Sequence, residues 1–146
     1  MNEEHFEKLR RSCLGAKISR YMKSGIEIER AGVAKVSFPF HGELTQNAGF
    51  LHGAILFEAA DTAAFVAANS VEETHSVLTA DFFIRLLRPV QYEGIYAIAE
   101  VVHQGRTLIT VRADVYSDSG KLVATGQGTY IVSEIPLKDV LGYEEP

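Results

Sequence analysis

Between Leu51 and Ala68 the chain is apolar around the whole circumference of a helix, and no other stretch restricts its fold as strongly. Leu51, Ile55, Leu56, Phe57, Phe65, Val66 and seven alanines fall on every side of a helical projection. A helix with almost no solvent face has to be wrapped by other structure. His52, Glu58 and Asp61 interrupt the run, and carboxylates at a bilayer midplane are costly. The spacing therefore predicts a helix buried in protein rather than a membrane span. Its alanines let strands approach closely, so the rest of the chain must supply a sheet.

The flanks read that way. Residues 3 to 22 place Phe6, Leu9, Cys13, Leu14, Ile18 and Tyr21 mostly three or four apart, the pattern of a one-faced helix on the outside of the core. Ile26 to Arg30 and Val33 to Phe40 are short alternating runs parted at Gly32, and the loop HGELTQNAG follows. After the helix come four strand-like segments, Thr74 to Leu86, Gly94 to Gln104, Thr107 to Ser117 and Lys121 to Val132. RPVQYEG, HQGR and SDSG separate them with turn chemistry. Ile109, Val111, Ala113 and Val115 alternate with Thr110, Arg112, Asp114 and Tyr116, which predicts an antiparallel sheet with one buried face. The tail, about 134–146, reads as a short helix or a frayed end. With 146 residues and no repeat or Gly/Ser linker, the expectation is a single α+β domain.

A formal charge of -5 and no clustered basic surface argue against nucleic-acid binding. The lone Cys13 cannot form an internal disulfide, and no cysteine cluster offers zinc spacing. The segment MNEEHFEKLRRS lacks the apolar core of a secretory signal. Together these give the expectation of a cytoplasmic protein without metal.

Glu58 and Asp61 lie three residues apart, on roughly one helical face. Glu58 reads as a rim residue or an ion-pair partner of Arg85 or Arg88. Asp61 asks for a stronger reason, because aspartate is a poor mid-helix residue whose side chain competes for backbone groups. At the helix start, Gly49 and Gly53 would let a ligand approach free N–H groups at the positive end of the dipole, where an oxyanion is stabilised. His52 by itself reads as a hydrogen-bonded structural residue.

The string LTQNAGFLHGAILFEAADTAAFVAANS resembles the helix signature of hotdog-fold acyl-CoA thioesterases, in the branch of the phenylacetate-pathway thioesterase. His52-Gly53-Ala54 matches the family's H-G-G, Asp61 its acid nine positions after the histidine, and Asp61-Thr62-Ala63 its D-T-A-like run. The resemblance covers roughly residues 25 to 132. It implies a hotdog fold, an antiparallel sheet wrapped around one long helix, and hydrolysis of acyl-CoA thioesters without cofactor. It implies that Gly53 N–H polarises the thioester carbonyl, with Asp61 as nucleophile or general base. Thr79 would position the water or carboxylate, with Ser76 as the weaker candidate. Gln46 replaces the family's asparagine and Ala54 its second glycine. Gln46 joins the catalytic set, whereas Asn47, His52, Ala54, Arg88 and Arg106 are the expected substrate contacts, the arginines for CoA phosphates. Lys121 reads as surface. The resemblance further implies a homodimer or homotetramer paired through Thr74 to Leu86, with Asp61 facing Gly53 and Gln46 of the neighbouring subunit. Two alternatives stand beside hydrolysis: a hotdog hydratase or dehydratase, and a noncatalytic acyl-CoA binding module. Acyl specificity would depend on Phe57, Phe65, Phe82 and Phe83, whose directions the sequence does not fix.

Overall fold

The computed structural model describes residues 2–144. Six strands form one antiparallel sheet in the order β1-β2-β4-β5-β6-β3, with β1 Gly25–Arg30, β2 Val33–Phe38, β3 His75–Leu86, β4 Ile95–Gln104, β5 Leu108–Ser117 and β6 Leu122–Pro136. The long helix, here α3 (Gly53–Val71), crosses this sheet and touches every strand. This is the expected α+β hotdog arrangement. On β5 the side chains of Ile109, Val111, Ala113 and Val115 are buried, as the alternation predicts.

α3 is long and apolar enough to cross a membrane, but the sheet takes up most of its circumference. Ala59, Ala60, Ala63, Ala64, Ala67 and Ala68 are all fully buried, so backbone meets strand where a larger side chain would overpack. The wrapping is not complete, contrary to the projection. Ala54, Phe57, Glu58, Asp61, Thr62 and Phe65 recur at helical spacing and are exposed or half-buried. That stripe carries both acids.

The ends of the chain differ from expectation in an informative way. The helix expected over about 3–22 is two helices, α1 (Glu3–Gly15) and α2 (Lys17–Tyr21), parted at Ala16, whose backbone is extended with φ -62° and ψ 140°. Gly15, a weak helix former, precedes the break. The tail is neither frayed nor simply helical: β6 continues to Pro136, a 3-10 turn covers Leu137–Asp139, and Leu137 and Tyr143 are buried. It is fastened to α1, where Ser12 Oγ donates to Leu141 O at 2.5 Å and Arg11 Nη2 to Tyr143 O at 2.6 Å. Buried His5 joins both segments to α3, its Nε2 donating to Asn69 O and its Nδ1 accepting from Tyr143 OH, each at 2.7 Å. Residues 145 and 146 lie outside the described residues.

Among the described residues β3 pairs only with β6, so no strand of the chain covers its outer edge. Phe82 lies across two glycines of the partner strand, where an added Cβ on Gly128 would sit 2.3 Å and on Gly126 2.6 Å from its ring. The ring covers the glycine gap and fixes the register of β3 on β6.

Candidate active site

Asp61 lies midway along α3 on the open stripe, and two hydroxyls meet one of its oxygens. Thr79 Oγ1 donates to Asp61 Oδ1 at 2.9 Å, and Tyr130 OH donates to the same oxygen at 2.8 Å. Thr79 and Tyr130 are direct register partners on β3 and β6, so strand pairing alone brings their side chains side by side. The ladder shifts register between Thr79 and Asp81, a bulge of the kind that re-aims side chains beside active sites. Burial pushes the Tyr130 phenol pKa up, and the neighbouring Asp61 carboxylate adds to the shift, so the hydroxyl keeps its proton and donates. With Oδ1 committed to two donors, the carboxylate is fixed in rotation and Oδ2 is left for other chemistry.

β3 is held against α3 by Asn69, which is fully buried. Its Nδ2 donates to Glu72 O and His75 O, both at 3.0 Å, and its Oδ1 accepts from Val77 N at 2.8 Å. One side chain thus closes the helix end and sets the start of the strand that carries Thr79.

Sequence reasoning missed Tyr130 and Asn69. Tyr130 shares an inward face of β6 with Ala124, Gly126 and Gly128, and a buried tyrosine hydroxyl among small residues asks for a partner. Asn69 stands three residues before Glu72, at the end of the apolar run, where a polar side chain commonly satisfies terminal carbonyls.

Glu58 is not an ion-pair residue. Among the described residues neither Arg85 nor Arg88 pairs with it; its Oε1 accepts from Thr62 Oγ1 at 2.5 Å, one turn along the helix. Burial raises its pKa, the Thr62 hydrogen bond opposes this, and the Asp61 charge raises it further.

The helix start is organised separately. His52 is the N-cap, and its Nδ1 accepts from Ala54 N at 3.0 Å while its carbonyl accepts from Ile55 N at 2.9 Å. This hydrogen bond agrees with the structural reading of the residue. It leaves Gly53 N–H, the first of the helix, without a protein acceptor among the described residues. A Cβ on Gly53 would lie 2.8 Å from Leu86 Cδ1, so the missing side chain keeps this N–H approachable. In the preceding loop Gln46 Oε1 accepts from Ala48 N at 2.5 Å and Phe50 N at 3.3 Å. Its Nε2 remains as the donor.

Two cavities divide these residues. One of about 250 Å³ is lined by Gln46, Gly53, Arg88 and apolar neighbours. The other, about 340 Å³, is lined by Asp61, Glu58, Thr62 and Phe65 of α3 together with α1, α2 and the tail. Gly53 and Asp61 are eight residues apart, about 12 Å along a helix axis. Within one chain the structure brings Thr79 to Asp61, and Gln46 and Arg88 to Gly53, but does not join the two groups. Asn47 and Ala54 are exposed near the helix start, and Arg106 is exposed in the β4–β5 turn. Ser76 is buried, with its Oγ turned to Val77 O at 3.2 Å, and does not bond Asp61, whereas Thr79 does. Lys121 is exposed beyond β5. Among the described residues no three His, Cys, Asp or Glu side chains gather as a metal site requires.

Comparison with known proteins converges on the same region. The family model described as the thioesterase superfamily matches residues 48–124, which include α3, Asp61 and Thr79. A Saccharolobus solfataricus protein named "Putative esterase" is 32% identical over 111 residues, 74% of this chain and 73% of its own. Among solved structures, a thioesterase family protein of Silicibacter pomeroyi is 31% identical with TM-score 0.81, covering 88% of this chain and 99% of that one. The PaaI protein from the phenylacetic acid degradation operon of E. coli shares the fold with TM-score 0.84 at 21% identity, over 92% of this chain and 96% of that one. Since the matched segment spans over half of the sequence and carries the acid with its hydroxyl partner, the chain belongs to the thioesterase superfamily.

Proposed function

We propose that the protein hydrolyses acyl-CoA thioesters to the free acid and CoA, without cofactor, in the cytoplasm. The observation that carries this reading is the Asp61 carboxylate, held on one oxygen by Thr79 and Tyr130 and open on the other. Catalysis would work across a subunit interface in a homodimer or homotetramer. Gly53 N–H of one subunit, helped by the helix dipole and by Gln46 Nε2, polarises the thioester carbonyl. Asp61 of the other subunit acts on the carbonyl carbon in one of two ways. As general base it takes a proton from water, whose oxygen adds to the carbon before the C–S bond breaks. As nucleophile it forms an acyl carboxylate anhydride with loss of CoA thiolate, and water then cleaves the anhydride. Either way one water is consumed, and the products are carboxylate and CoA thiol plus one proton. Arg88 and Arg106 are the cations offered to CoA phosphates, and Asn47, His52 and Ala54 are the further residues offered to the substrate. Neither a nucleic acid nor a membrane is needed.

The partners of Asp61 are hydroxyls rather than a histidine, which favours hydrolysis over hydration of an enoyl thioester. The test is thiol release from a panel of acyl-CoAs by wild type and Asp61→Asn. Release by the wild type and a loss of about 10²- to 10⁴-fold in the variant are expected. Equal rates would remove Asp61 from the mechanism, and binding without release would make the protein a binding module.

A further inference from the structure

The larger cavity has a composition that the reaction centre alone does not require. Asp61 stands in its wall, yet the remaining lining is mostly apolar: Phe65 from α3, Cys13 and Ile18 from the two sides of the α1–α2 break, and Val140 and Leu141 from the tail. Burial pushes the Cys13 thiol up to about 12, so it lines the space as a neutral group. Ile18 and Leu141 are 55% and 69% exposed, leaving an apolar rim at the mouth. A thioester has a polyanionic end and an acyl end. The cavity at Gly53 carries Arg88 and Gln46, whereas among the described residues this one is lined by no cation and by two acids, Glu58 and Asp61. The two ends of the substrate are therefore sorted by chemistry.

Resting on the hydrolase reading, we infer that the cavity roofed by the α1–α2 break and the C-terminal tail receives the acyl group, and that Glu58 excludes acyl groups with a distal carboxylate. At about 340 Å³ it is in the size range of small-ligand sites. The fitting acyl groups are uncharged chains or rings of medium size, and a sixteen-carbon chain would run out past the rim into solvent. Glu58 fits the role by position. It sits one turn from Asp61 on the open stripe, among the described residues only its Oε1 is engaged, by Thr62, and Oε2 remains to repel an anion. The chemistry proposed above makes no use of it.

Thiol-release kinetics on the full chain test both parts. Octanoyl-CoA should exceed palmitoyl-CoA in kcat/KM by about tenfold or more, and each residue at the two ends of the cavity should move that profile. Phe65→Ala shifts the optimum toward longer chains, and Ile18→Trp, at the exposed rim where folding is not at stake, shifts it toward shorter ones. Hexanoyl-CoA should exceed adipoyl-CoA by about a hundredfold, the effect of one like charge about 6 Å away at an effective dielectric of about 20. Glu58→Gln should reduce that ratio to about tenfold or less, with hexanoyl-CoA as the internal reference. A length profile unmoved by both cavity variants overturns the acyl assignment, and an adipoyl discrimination unchanged in Glu58→Gln overturns the role of Glu58. Absence of turnover on every acyl-CoA is a different result: it overturns the hydrolase reading, and this inference falls with it.

Discussion

The two hydroxyls on Asp61 Oδ1 are not equivalent, because Thr79 is exposed and Tyr130 is fully buried. Thr79→Ala removes a positioning donor at little cost to the fold. A fall in kcat with KM nearly unchanged is expected, together with an unaltered melting temperature and recovery in Thr79→Ser. Tyr130→Phe removes a buried hydroxyl whose partner can still turn to Thr79, so both kcat and stability should fall, stability by about 1 kcal/mol. Urea unfolding beside steady-state kinetics separates the two cases. Glu58 gives a prediction of opposite sign. Its pKa is raised in the folded protein, chiefly by burial, so the folded state holds its proton more tightly than the unfolded chain. No penalty exists below the ordinary Glu range, where both states are protonated. As pH rises through that range and the raised value, stability is lost. The titratable groups facing it across the cavity are Asp61 on its own helix and Cys13 on α1, neither of which supplies a positive charge. Glu58→Gln should therefore be more stable than wild type at neutral pH, with the gain vanishing in acid. Denaturant midpoints across that range check it; a constant difference would remove Glu58 as the cause.

At the scale of elements, the site depends on how β3 lies on β6. Thr79 and Tyr130 meet Asp61 because they are opposed across that ladder, and the ladder is keyed by Phe82 over Gly126 and Gly128. Gly128→Val would drive side-chain atoms into the Phe82 ring and the Asp81 carbonyl, which lies 2.8 Å from the added Cβ. Destabilisation of about 1–3 kcal/mol is expected, with loss of Thr79 from Asp61 and a fall in activity at temperatures where the protein is still folded. The element order, the buried helix and the alternation of β5 were legible in the sequence because they follow from hydrophobic periodicity, a local signal. Asp61 and Thr79 were legible through a motif. Tyr130 and Asn69 were not, because their partners lie 69 and 8 residues away and become neighbours only once register is set. For the same reason the docking of the tail on α1 escaped notice: it joins Ser12 to Leu141, positions 129 apart that share no periodicity.

For the molecule as a whole, the unwrapped stripe of α3 and the open edge of β3 belong to a chain in which Gly53 and Asp61 stand apart on one helix, and the proposed site joins them across two subunits. A second copy laid edge to edge along β3 would continue the sheet and bring the Gly53 end of one α3 toward Asp61 of the other, as closed two-fold symmetry permits. Complementation tests this directly. Gly53→Pro is suited to it because Gly53 is the first residue of α3, where proline is tolerated. His52 before it is already extended, with φ -61° and ψ 138°, and the change deletes the N–H in question. The nearby Leu86 side chain, 53% exposed, can give way. Alone, Gly53→Pro should fold and lose about 10²- to 10³-fold in kcat, and Asp61→Asn should lose about 10²- to 10⁴-fold. After joint unfolding and refolding at equal amounts, about half of the dimers carry one chain of each kind. Each of these has one site with intact Gly53 and Asp61, so activity should return to about a quarter of wild type. If both groups acted within one chain, every site in the mixture would lack one of them and no activity would return. A site confined to a single subunit would then replace the interface.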